Sequence, residues 1–308
     1  MAVLTGVMIA EQARANSELS IRMGNSVEAA FISFTSGLII IAIITLLSPA
    51  IKLGLKNVRT AVNSGEMGRW RLLAGALGGA AIAISTHAVP LIGVALYSVA
   101  TISGQTAVSL FVDRIGLGGG ERKPISLRRV IAALITVLAV VVSVLDRLSI
   151  DNFQVLAVVL GLIAGVIIGI QRSLNGSINV HSKASYATSL FNFIMGSSFL
   201  ALLTLALLIF RGDKINSLPT GPWWIYTGGV VGVIYIAMSS LIVQHLGVLT
   251  FVLFSVGGQL LGSLVLDIIS PTHGAHVTTY LVTGIVMTYV GVLVGGESRL
   301  LKRNSSQH

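Results

Sequence analysis

The chain has 308 residues, 54% of them hydrophobic and only 10% charged, with a mean hydropathy of +0.90. A water-soluble chain carries about 25% charged residues, so this composition excludes an ordinary soluble globule. The net charge of +9 sits in short loops and at the ends of apolar runs, which fits topology signals and anionic-lipid contacts and argues against a nucleic-acid partner.

Apolar runs of about 20 residues match a hydrocarbon core about 30 Å thick, and in lipid such runs must be helical to satisfy their own backbone. The expected fold is an all-α polytopic membrane protein with ten transmembrane helices. The spans fall at about 2–22, 26–48, 69–89, 94–112, 126–145, 155–175, 186–210, 222–243, 248–267 and 277–295. The first is apolar for only about ten residues before Glu11, Gln12 and Arg14, so an apolar extension upstream of Met1 is expected. The opening residues read as entry into a helix rather than as a cleavable leader. Between the second and third spans, Lys52, Lys56 and Arg59 mark a longer loop suited to the membrane interface.

A tandem duplication is visible. Shifted by 159 residues, Gly6, Gln12, Asn16, Ser26, Phe34 and Gly37 fall on Gly165, Gln171, Asn175, Ser185, Phe193 and Gly196. Shifted by 154, Trp70, Gly75, Gly78, Gly93, Gly104, Gln105 and Asp113 fall on Trp224, Gly229, Gly232, Gly247, Gly258, Gln259 and Asp267. The repeats are 1–147 and 155–296, followed by a basic tail, 297–308. Five spans per repeat is an odd number, so the second repeat enters from the opposite side. Basic residues concentrate in the loops after the even-numbered spans and in the tail, which places both termini in the cytoplasm. Inverted five-helix repeats are the usual frame of alternating-access transporters, with the solute near the midplane.

The stretches around GVMIAEQARANSEL, GVIIGIQRSLNGSI, GVALYSVATISGQ and GVLTFVLFSVGGQ resemble the YdcZ-like family of the drug/metabolite transporter superfamily, in its tandem form. The resemblance covers nearly the whole chain. It implies a ten-helix bundle in a bacterial inner (cytoplasmic) membrane and an exporter role.

Polar groups at membrane depth are expensive, so each needs a reason. Gln105 and Gln259 lie near the centres of the fourth and ninth spans, each after a glycine, Gly104 or Gly258. They either hydrogen-bond across a helix interface or line a central solute site. Gln12 with Asn16, and Gln171 with Asn175, are i,i+4 pairs on one helix face. They are hydrated helix ends or polar steps into the same site. Glu11 is the deepest carboxylate: it pairs with Arg14, reaches the interface, or couples an ion to transport. Asp113 and Asp267 end two helices, where an acid needs a partner. Rows such as Gly161/Gly165/Gly169 and Gly258/Gly262 fit close helix packing.

With no cysteine, no HExxH, no GxSxG and no paired acids at depth, neither an enzyme, a metal site nor a cofactor is expected. The best reading is alternating-access transport, with export as its direction, of small neutral, zwitterionic or amphiphilic metabolites through a polar, nearly uncharged cavity, by a monomer or homodimer whose partners are the solute and the bilayer. A non-transporting structural or regulatory membrane protein is the alternative, and solute flux in proteoliposomes separates the two.

Overall fold

The computed structural model describes residues 1–119, 124–145, 152–212, 216–235, 238, 248–272 and 275–295. All regular structure among them is helical: α1 (Ala2–Met23), α2 (Ser26–Leu47), α3 (Pro49–Asn63), α4 (Ala74–Ile115), α5 (Leu127–Ser143), α6 (Asn152–Ser182), α7 (Ser185–Arg211), α8 (228–235), α9 (Val248–Ile269) and α10 (Thr279–Gly295). Among the described residues, four elements are long and apolar enough to cross a membrane: Ser26–Leu47, Arg69–Ile115, Gln154–Ser182 and Ser185–Phe210. Phe254–Ile269 and Thr279–Gly295 are apolar but shorter.

Local chemistry explains where the elements begin and end. Gly24 closes α1 in the left-handed region (φ 66°), its N–H reaching back to the Ser20 carbonyl at 2.9 Å. The next residue, Asn25, starts α2: its side-chain oxygen accepts from the amides of Val27 and Glu28 at 3.0 and 3.2 Å. Two helices therefore meet at a turn of two residues and run back along each other.

The loop expected after the second span is mostly helix. Ile51, Gly54, Val58 and Ala61 recur at intervals of three and four and are buried, whereas Lys52, Lys56 and Arg59 are exposed. α3 is thus amphipathic and packs on α6 and α7. It is too short to have registered as a span. A second difference concerns the third and fourth spans, which join end to end as α4. Pro90 lies inside this helix, but the backbone departs from helical angles at Gly93, with φ 82° and ψ 165°.

That break exposes the first amides of the second half of α4. Asp267, at the end of α9, answers them: its two carboxylate oxygens accept from Val94 N and Ala95 N at 2.9 and 2.8 Å. An anion at a helix N-terminus is favoured by the amides and by the helix dipole together. Packed around this junction are Ala10, Ile92, Leu96, Val140, Leu260 and Leu281, all in the main hydrophobic core.

The most extensive helix pairs are α4 with α6, α5 with α10, α1 with α9, and, equally, α2 and α4 with α7. The close contacts recur at the two sequence offsets. A side chain at Gly165 would strike the Thr101 carbonyl, and one at Gly6 the Ser255 carbonyl. Likewise Gly104 abuts the Leu162 carbonyl and Gly258 the Val3 carbonyl. Small residues let these backbones touch, which is the main source of helix attraction where lipid supplies no hydrophobic drive.

Gly93→Ala forces a β-carbon into the left-handed region and against Asp267 and Ala275. It should cost about 1–3 kcal/mol, read as a lower melting temperature of purified protein. An unchanged melting temperature would show that the break does not depend on glycine.

Candidate functional site

Two adjoining cavities lie between the helices, of about 350 Å³ and about 430 Å³. Ile9 of α1, Arg172 of α6 and Tyr235 of α8 line both. The first cavity runs between the second half of α4, α5, α6, α9 and α10. Gln105 and Gln259 both line it, having come from equivalent places in the two halves of the sequence. Neither side-chain amide makes a hydrogen bond among the described residues, so the cross-helix bond required by the structural reading is not formed.

Gly104 and Gly258 line neither of these two cavities. They belong to the close contacts of α4 with α6 and of α9 with α1. At the far end of the first cavity, Arg129 pairs with Asp113 at 2.6 Å and also donates to the Ser109 carbonyl at 3.2 Å. The partner expected for Asp113 is therefore an arginine on the next helix.

The second cavity holds the other amides. Gln171 donates to Asn192 at 3.0 Å, and Asn192 donates to Asn175 at 2.7 Å and to the Thr188 carbonyl at 2.9 Å. Gln12 donates to the Gly228 carbonyl at 2.8 Å. Gly78 and Gly232 let Gln171 and Gln12 approach their neighbouring helices, a further contact that repeats at the two offsets. These amides are thus not hydrated helix ends. Asn16 lies outside the cavity lining, fully buried against Gly228, with neither side-chain polar atom bonded among the described residues. Phe34 and Phe193 close this cavity with ring centroids 5.4 Å apart.

Glu11 is exposed and lines neither cavity. Arg14 does not pair with it. Instead Arg14 bonds Glu18 at 3.0 Å and the Ser270 carbonyl at 2.9 Å, with its guanidinium 5.5 Å from the Trp224 ring. Two lining residues escaped the sequence reading. Asn192 is a polar residue in an apolar span, and its counterpart at the 159 offset, Ser33, also lines the second cavity. Arg172 was hidden because its counterpart is Ala13. Its presence in both linings corrects the expectation of a nearly uncharged cavity.

Among the described residues the structure is all-helical, with membrane-length apolar helices around polar cavities, which fits the class of integral membrane proteins. Residues 1–142 and 156–294 match the family described as "Putative inner membrane exporter, YdcZ", so the chain belongs to that family in tandem form. No curated protein matches it. Among solved structures, a chain described as "Crystal structure of protein" matches with a TM-score of 0.48 and 18% identity, covering 99% of each chain.

Proposed function

We propose that the chain exports small solutes across the inner membrane by alternating access between two inverted five-helix repeats, 1–147 and 155–296, with both termini in the cytoplasm. The observation that carries this reading is the meeting of Gln105 and Gln259, unbonded, on one cavity. Two polar side chains with no protein partner leave hydrogen-bonding capacity for a solute, and withholding that capacity from any partner in lipid is costly.

The state described is asymmetric in a way that fits such a cycle. Asp267 seals one end by capping Val94 and Ala95. At the other end its counterpart Asp113 lines the cavity and is held by Arg129. The 154 offset relates Val94 to Val248, the first residue of α9. In the opposite state, Asp113 leaves Arg129 to cap the start of α9, while Asp267 releases α4. The basic loops put the Asp113 end in the cytoplasm, so the described state faces inward.

Leucine matches glutamine closely in volume and suits lipid. Gln105→Leu and Gln259→Leu should therefore each weaken apparent affinity several-fold, as expected for a lost hydrogen bond of about 0.5–1.5 kcal/mol. The double variant should nearly abolish flux, in proteoliposomes, of any solute selected by a thermal-shift screen. A purely structural role predicts the reverse pattern, with a lower melting temperature and undiminished flux per folded molecule. The orientation is checked separately: a cysteine at Ser217 should react with an impermeant maleimide in intact cells and one at Ser64 should not. The opposite labelling would overturn the topology.

A further inference from the structure

Arg172 differs from the more buried arginines Arg14 and Arg129. Arg14 and Arg129, whose side chains are 8% and 15% exposed, are each neutralised by a carboxylate, Glu18 and Asp113 respectively. Arg172 has no ion pair and no side-chain hydrogen bond among the described residues. It lies ten residues before the end of α6 at Ser182, about 15 Å along the helix at 1.5 Å per residue. It is exposed, and the space it faces is the two cavities.

Among the described residues, the charges of the combined lining are Arg129, Asp113 and Arg172. The first two cancel, so the lining carries one uncompensated positive charge. Within a cavity walled by protein, the field of an unpaired cation is stronger than it would be in bulk water. Around it are hydrogen-bonding amides, Gln105 and Gln259 on one side and Gln171 and Asn175 on the other. A guanidinium among neutral amides is the donor set for a planar oxyanion, which it engages through two parallel N–H groups.

We propose that Arg172 binds an oxyanion group, a carboxylate or a comparable acid, on the exported solute. This rests on the transport reading above and narrows it: wholly neutral or cationic solutes are disfavoured, and anionic or zwitterionic ones are selected. The apolar residues of the second cavity, Ile168, Phe34 and Phe193 among them, accommodate the rest of the molecule.

The native chain has no cysteine, so a single reporter can be placed at Ile168, one turn before Arg172 on the second-cavity lining. Two thiol reagents of similar size are compared, methanethiosulfonates bearing a sulfonate or a trimethylammonium group, in phosphatidylcholine nanodiscs. With Arg172 present the anionic reagent should react faster. The anionic-to-cationic rate ratio should fall at least about tenfold in Arg172→Gln and survive in Arg172→Lys, as expected for a nearby unit charge at reduced dielectric. A ratio unchanged by Arg172→Gln overturns the proposal. So does a cysteine that reacts with neither reagent, since no solute could then reach the site. If the preference disappears when phosphatidylglycerol is added, the oxyanion bound there is a lipid headgroup and the solute assignment falls. The ratio needs no turnover, so a tenfold change without flux would retire the transport reading and leave the oxyanion site standing.

Discussion

A break in a buried helix leaves amides without helical partners, and the chain must bring something to them. Here the answer comes from the other half of the sequence. The Asp267 carboxylate spans Val94 and Ala95 just past the break at Gly93, tying the end of α9 to the middle of α4. The main core gathers around this point, and the long α4 can keep two halves with different neighbours because the break between them is satisfied.

The remaining architecture sets polar cavities at one end and a packed core at the other. Carbonyl-to-glycine contacts hold α4 on α6 and α9 on α1 so closely that no side chain intervenes. Those same helices carry Gln105, Gln171, Arg172, Asn175 and Gln259 onto the cavity walls. Tight pairs and loose spaces are therefore two consequences of one residue pattern: glycine where helices touch, amides where they part. The amides of the second cavity bond to one another and to backbone carbonyls, whereas those of the first do not. The second is prearranged, and the first is left for an occupant.

Much of this was legible in the sequence, for identifiable reasons. Long apolar runs announce α2, α6 and α7 because lipid allows only one solution for them. The two offsets identified in advance which residues play matching parts, and the paired contacts of Gly6 with Gly165 and of Gly104 with Gly258 follow them. Spacing could not decide whether those glycines face solute or another helix, because both need a missing side chain. The sequence of α3 suggests a loop because its amphipathic pattern covers only 15 residues with three cations among them. Arg172 is invisible to a comparison of repeats because its counterpart, Ala13, is apolar. Asp267, at a helix end, needs partners, and the Val94 amide that it accepts from lies 173 residues earlier in the backbone, which carries no sequence signature.

The central claim is that the two ends of the molecule exchange roles, one sealed by a carboxylate while the other stands open. Spin labels at Val180 and Leu293 report the end near Asp113, and labels at Ile21 and Leu138 report the end near Asp267; all four side chains are exposed. Distance distributions in nanodiscs should be bimodal and reciprocal, with the long distance at one end accompanying the short distance at the other. Asp267→Asn, which weakens the cap on Val94 and Ala95, should shift both distributions together toward the state open at the Asp267 end. A single unchanging distance at each end, or both ends lengthening together, would contradict the account.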